Sequence, residues 1–191
     1  MLGESGVAWR LLALGVDDRP VVPDRDALSV GHEETFDTDV ADAQTLRAVL
    51  QEQCERVAMR LRAHGGRTRC ITLKLRTPDF ITCSRQVTLP EATDATLRIW
   101  RAAESLLAAW LHQRPGPLRL VGISVSMMPA VVPEPALFED PDEGRQRRLD
   151  AVTDAAAARF GPGAIRRGGA RAQGRRTARD LRDQGPRPEA R

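Results

Sequence analysis

The chain has 191 residues, 41% of them hydrophobic, with 29 lysines and arginines against 26 acids and a net charge of +3. That length holds one domain with extensions and a sizeable core, and no apolar run reaches the roughly 20 residues of a membrane-spanning helix. Lys74 is the only lysine; an arginine excess suits phosphate binding but follows equally from coding bias.

Residues 1–28 read as a segment arriving at a domain. Val7 to Leu14 predicts two helical turns, apolar at Trp9, Leu11, Leu12 and Leu14, and Gly15 stops them. Pro20 and Pro23 then favour extended chain, the chemistry of a tether. Ser29 to Phe36 predicts a first strand of poor alternation, in which Gly31 marks a bulge or a close backbone approach. Asp42 is placed to cap a helix over 43–64 whose Leu46, Val49, Leu50, Cys54, Val57 and Leu61 form one apolar stripe. Arg47, Arg56, Arg60 and Arg62 fall largely off that stripe and read as a solvated face with Glu52 and Glu55. Gly65-Gly66 ends this helix.

Residues 69–89 predict a β-hairpin turning at Thr77-Pro78-Asp79. Strand side chains alternate, so Ile71, Leu73 and Leu75 share one face and Thr72, Lys74 and Arg76 the other. In the returning strand Thr82, Ser84, Gln86 and Thr88 make a polar face opposite Ile81, Cys83, Val87 and Leu89, with Arg85 interrupting the apolar row. Pro90 closes the hairpin, and Thr93 or Asp94 is placed to cap a helix to Gln113 that buries Leu97, Trp100, Ala103, Leu107, Trp110 and Leu111. Arg114-Pro115-Gly116-Pro117 stops it. Residues 118–128 predict the last strand, with Val121, Ile123 and Val125 inward and Leu120, Gly122, Ser124 and Ser126 outward, the small residues leaving backbone approachable.

This order predicts an α+β fold, split β-α-β-β-α-β: a four-stranded antiparallel sheet with both helices on one face, plus flexible termini. Residues 29–128 form the domain. Residues 129–144 are a proline-rich acidic linker carrying the apolar pair Leu137-Phe138, and 145–168 hold a short helix with Leu149, Val152, Ala156 and Phe160 on one side. The tail, 169–191, is dominated by arginine, glycine and proline and cannot bury enough surface to fold.

The uncovered sheet face carries the chemistry. Lys74, Arg76, Arg85 and Arg119 lie in strands two to four with Thr72, Thr82, Ser84, Thr88, Ser124 and Ser126, and no acid is expected among them. Cations interleaved with short hydroxyls suit a sugar–phosphate backbone, which positions a protein without reading bases. A solvated face or a homodimer surface accounts for the same pattern. No catalytic constellation stands out. His32, His64 and His112 lack metal or triad spacing. Asp140, Asp142 and Glu143 sit in a proline-rich acidic linker without downstream ligands, and Gly161-Pro162-Gly163 follows a helix rather than a strand. Three widely spaced cysteines, with no signal-peptide pattern, point to buried thiols in a reducing cytoplasm.

Several stretches resemble one family in the correct order. Ser-Val-Gly-His-Glu-Glu-Thr-Phe (29–36), Thr-Leu-Lys-Leu-Arg-Thr-Pro-Asp-Phe (72–80), Ser84-Arg85, Thr88-Leu89-Pro90 and Leu-Val-Gly-Ile-Ser-Val-Ser (120–126) resemble the four strands of the little-finger domain of DinB-type Y-family translesion DNA polymerases. Gly15 to Pro23 resembles the end of the thumb and the tether, making 1–28 a thumb remnant. Residues 148–167 resemble the family's C-terminal helix. The likeness runs from about residue 10 to 168 and implies a domain lying in the DNA major groove, gripping phosphates of template and primer during lesion bypass. By residue match, Ser29, Gly31 and His32 would contact backbone from strand one, Ser84 and Arg85 from strand three, and Arg119, Gly122, Ser124 and Ser126 from strand four. Leu137 and Phe138 match a sliding-clamp peptide in which Glu134 replaces the family's glutamine. The palm carboxylates, through which the parent polymerase would use magnesium, have no counterpart. The resemblance therefore implies a non-catalytic, cofactor-free duplex-DNA-binding module, cytoplasmic and nucleoid-associated. One alternative is a subunit of a split polymerase completed by a separate palm-bearing chain. A single-stranded-RNA module is disfavoured, because no strand places a stacking aromatic centrally.

Overall fold

The computed structural model describes residues 3–20, 28–128, 141–161 and 163–165. Its elements are α1 (Gly3–Ala13), β1 (Ser29–Val40), α2 (Ala43–Ala63), β2 (Thr68–Arg76), β3 (Thr82–Thr93), α3 (Thr96–Gln113), β4 (Leu118–Ser126) and α4 (Pro141–Phe160). The strands form one antiparallel sheet in the order β1-β4-β2-β3. Helix α2 lies over β1 and β4, and α3 over β2 and β3. The core fills the space between: Leu46, Leu50, Val57 and Leu61 of α2 and Ile99 and Leu107 of α3 meet Ile71, Leu73, Leu75, Val121, Ile123 and Val125. This is the predicted α+β arrangement.

Local sequence explains the helix ends. The Asp42 carboxylate accepts hydrogen bonds from the Thr45 hydroxyl (2.5 Å), the Thr45 N–H (2.8 Å) and the Gln44 N–H (3.4 Å), satisfying donors that the first turn leaves unpaired. At the other end, Gly65 N–H reaches the Arg62 carbonyl and Gly66 N–H the Leu61 carbonyl, the paired closure of a Schellman motif, with Gly65 at φ 62°. Hydrogen bonds from the Thr45 hydroxyl first, then from its N–H, hold the Asp42 carboxyl below its usual range. The cap's stabilisation is therefore complete above the unfolded-state pKa and lost as pH falls through the depressed native value. Asp42→Asn still caps but does not titrate, so it should flatten the acid limb of the stability curve. Superimposable urea-stability profiles for variant and wild type between roughly pH 2 and pH 6 would contradict this.

Two strands run further than the sequence predicts. β1 continues past Phe36 to Val40 through an irregularity between Thr35 and Val40. β3 continues past Leu89 to Thr93, with a register shift between Thr88 and Thr93 that takes up Pro90. Proline is tolerated there because β3 is an edge strand.

The last helix departs most from expectation. It starts at Pro141 rather than Arg145, and its predicted buried side is turned outward: Leu149, Val152 and Phe160 are exposed. Its buried stripe is polar, with Gln146 and Asp150 among the few buried polar side chains. Neither Thr93 nor Asp94 caps α3 as predicted; the N-cap position is Ala95, which offers no side-chain bond. Asp150 of α4 instead accepts from the Thr96 N–H at 3.0 Å, supplying the missing cap from another helix. Arg62, near the end of α2, ties the junction together. It bonds the Asp154 carboxylate twice (2.7 and 2.8 Å), the Asp94 carbonyl (2.8 Å) and the Thr96 hydroxyl (3.1 Å). The start of α3 offers the Thr96 N–H and the end of α2 the Arg62 guanidinium, so α4 docks on them with its hydrogen-bonding face.

On α1, Val7, Trp9, Leu11 and Leu12 are exposed, as is Leu14 just after it. The clamp-like pair Leu137-Phe138 and the tail from 169 lie outside the described residues.

Candidate nucleic-acid interface

The register fixes which side chains share the uncovered face. One row across the sheet is Gly31, Ser124, Thr72 and Gln86; the next is Glu33, Gly122, Lys74 and Ser84; a third is Thr35, Leu120, Arg76 and Thr82. Ser29 opposite Ser126 and Thr88 opposite Cys70 extend the pattern at either side. Of the predicted residues, Ser29, Gly31, Thr72, Lys74, Arg76, Thr82, Ser84, Thr88, Gly122, Ser124 and Ser126 are thus brought to one face.

Three are not. His32 has the parity of Val30 and pairs with Ile123, placing it on the helix side. Arg85 pairs with Leu73, another core position, and its guanidinium lies 5.3 Å from the centre of the Trp110 ring of α3. No local twist returns it to the open face. Arg119 is out of step with Leu120, Gly122, Ser124 and Ser126. Its guanidinium bonds Asp39, in the irregular stretch of β1, at 2.9 and 3.3 Å and stacks 4.7 Å from the Phe80 ring centre. The Asp39 hydrogen bond holds Arg119 charged, its pKa above the ordinary arginine value, and neutralises it toward outside partners.

The face is not free of acid either. Glu33 of β1 lies on it and forms an ion pair with Lys74 at 2.8 Å, reaching across Gly122 of the strand between. A Cβ at Gly122 would lie 2.6 Å from the Glu33 Cβ and 3.2 Å from its Cα. Gly122 is therefore buried under this pair rather than presenting approachable backbone. Arg76 bonds the Thr82 hydroxyl at 2.8 Å and has no carboxylate partner among the described residues. The Glu33 contribution was readable from its parity with Ser29 and Gly31; the neighbour it meets depends on strand order, which periodicity does not give.

The sheet edges add a feature that side-chain patterns miss. Leu28 accepts from the Met127 N–H, so these two form a hydrogen-bonded pair, and alternation makes Val30 and His32 the ladder-bonded positions of β1. Ser29, Gly31 and Glu33 therefore turn both N–H and C=O to the free edge. On the other side Thr77 N–H bonds the Ile81 carbonyl, so in β3 the outward positions are Thr82, Ser84 and Gln86. At both edges, residues with side chains on the open face also present backbone amides to solvent.

Two helices behind a four-stranded antiparallel sheet of order β1-β4-β2-β3, polar on its free side, define the split β-α-β-β-α-β class of domain. Residues 27–149 match the impB/mucB/samB family C-terminal domain. The chain belongs to that family, and its domain is the little finger of DinB-type Y-family DNA polymerases. DNA polymerase IV of Desulfatibacillum aliphaticivorans is 35% identical over 166 residues, which cover 85% of this chain and 42% of that protein. DNA polymerase IV of Methanoculleus marisnigri is 40% identical over 127 residues, covering 66% of this chain and 35% of that one. A solved Y-family DNA polymerase chimera of Dbh and Dpo4 shares the fold, with a TM-score of 0.52 and 17% identity over 67% of this chain and 37% of its own. The chain spans about two-fifths of the length of the first of these relatives. Among the described residues, no helix is long and apolar enough to cross a membrane, and no group of three His, Cys, Asp or Glu side chains could hold a metal ion.

Proposed function

We propose that this little-finger domain grips duplex DNA by its sugar–phosphate backbone and takes no chemical part in synthesis, the polymerase activity of its relatives residing in the portion this chain does not span. The supporting observation is the single uncovered face that unites Thr72, Arg76, Thr82, Ser84, Ser124 and Ser126 and is flanked by outward amides at both edges. Hydroxyls, amides and guanidinium groups donate to phosphate oxygens without regard to base sequence. Four strands about 4.8 Å apart make a sheet about 14 Å wide between its edge strands. That is close to the roughly 12 Å width of a B-DNA major groove.

The test is fluorescence anisotropy with two duplexes of unrelated sequence over a salt series. Affinity should be nearly equal for both and fall linearly in log–log form as salt rises. Arg76→Ala should reduce the slope by about one unit on either duplex. Arg119→Ala should leave the slope close to wild type, because Asp39 already neutralises that charge. Absence of binding at about 50 mM salt would overturn the proposal.

A further inference from the structure

Arg60 of α2 falls outside the face that sequence periodicity selects, yet it reaches the sheet. Its Nη1 donates to the Gly31 carbonyl at 2.9 Å. Gly31 is an outward position of the β1 edge, so its N–H lies on the same side of the strand as that carbonyl. The guanidinium has five N–H donors and spends one of them here. No carboxylate partners Arg60 among the described residues, whereas Arg56, one turn earlier, is ion-paired with Glu52 at 2.5 Å. The opposite edge repeats the arrangement: Arg85 Nη1 donates to the outward Ser84 carbonyl at 3.2 Å beside the outward Ser84 N–H. Each edge thus carries a helix-side arginine hooked onto an outward carbonyl, next to a backbone N–H with no partner among the described residues.

We propose that Arg60 of α2 joins the Gly31 amide in a phosphate-binding site at the β1 edge. This rests on the duplex-gripping reading above and adds a residue and an element to it. A backbone amide and a guanidinium converging on one point suit a phosphate oxygen better than a carboxylate-free surface alone would. Acids do lie nearby. Glu33 is turned to the open face and neutralised by Lys74, and Glu34 has the opposite, helix-side parity, with Val121 across from it. The Glu33–Lys74 pair thereby removes the repulsion that β1 would otherwise direct at a phosphate. A Cβ at Gly31 would sit 3.1 Å from Ser124 Cβ and 3.2 Å from the Ile123 carbonyl oxygen, crowding β1 against β4.

The experiment uses the full chain and a mixed-sequence duplex of about 20 base pairs, comparing wild type, Arg60→Gln and Arg56→Gln over a salt series. Arg60→Gln should weaken binding about five- to tenfold at 0.1 M salt and lower the salt slope by about one unit. Arg56→Gln should change neither. In parallel, the Gly31 amide resonance should move on adding duplex to wild type and stay in place with Arg60→Gln; matched melting temperatures would show that both variants are folded. If wild type binds but Arg60→Gln keeps its slope and the Gly31 resonance does not move, this site is refuted while the duplex-gripping reading stands. If wild type does not bind, both fall together.

Discussion

Arg62→Met should lower the unfolding free energy by about 3 kcal/mol, a large part of what a domain of this size has to spare. Arg62 is the common partner of the Asp154 carboxylate, the Asp94 carbonyl and the Thr96 hydroxyl, and its Nη1 lies 3.5 Å from Asp150. Burial alone works against its charge, but the Asp154 hydrogen bonds and the fields of Asp150, Asp154 and Asp94 outweigh that, and its pKa is raised above the ordinary arginine value. Removing the cation leaves Asp150, 4% exposed, with its bonds from the Thr96 N–H and Gln146 but without the positive charge that balances it and Asp154. The cost of two desolvated negative charges left without their cation, rather than the lost bonds themselves, sets the size of the effect. Arg62→Lys should recover less than half of the loss, because a point charge cannot bridge four groups from one position. Urea unfolding of the three proteins measures both values. A loss under about 1 kcal/mol for Arg62→Met would mean that the α2–α3–α4 junction contributes little to stability.

Gly122→Ala should cost about 2 kcal/mol and loosen β1 in particular. The clash it creates, 2.6 Å to the Glu33 Cβ, involves an atom bound directly to the backbone, with the Glu33 Cα at 3.2 Å and the His32 carbonyl oxygen at 3.3 Å. No rotamer change relieves that, so β1 must shift away from β4 and the Glu33–Lys74 bridge must lengthen. Hydrogen exchange should therefore accelerate for the β1 amides bonded to β4, those of Val30 and His32, more than for the β2–β3 ladder. Uniform acceleration across all four strands would contradict a local displacement.

Much of this domain was legible in its residues, and the failures have physical causes. Alternation in β2 and β3 was clean because one face packs on helices and the other does not, so Thr72, Lys74, Arg76, Thr82, Ser84 and Thr88 were assigned correctly to one side. In β1 only Val30, Phe36 and Val40 are buried, too sparse a pattern to separate His32 from Ser29 and Gly31. Arg85 sits in an apolar row, which marks its true side; the family resemblance implies the open face, whereas its guanidinium lies over Trp110. Arg119 could not be judged without Asp39, 80 residues away in sequence. α4 misled most. A stripe of Gln146, Asp150 and Asp154 reads as solvated, and only the neighbouring helix ends reveal why it is buried. Arg60 was assigned to solvent because helical periodicity says which side faces the core, not how far a long side chain reaches around it.

The irregular stretches of the outer strands have a consequence for association. β1 departs from its ladder between Thr35 and Val40, and β3 between Thr88 and Thr93, where Pro90 removes a donor. Ahead of those stretches, in the regular parts of β1 and β3, arginine side chains already occupy the outward carbonyls of Gly31 and Ser84. An intruding strand from another copy would need long, straight rows of vacant donors and acceptors. Each rim instead offers a short row, Ser29 to Glu33 or Thr82 to Gln86, interrupted at its middle carbonyl by an arginine, which works against fibre-like stacking on a sheet left bare on one side.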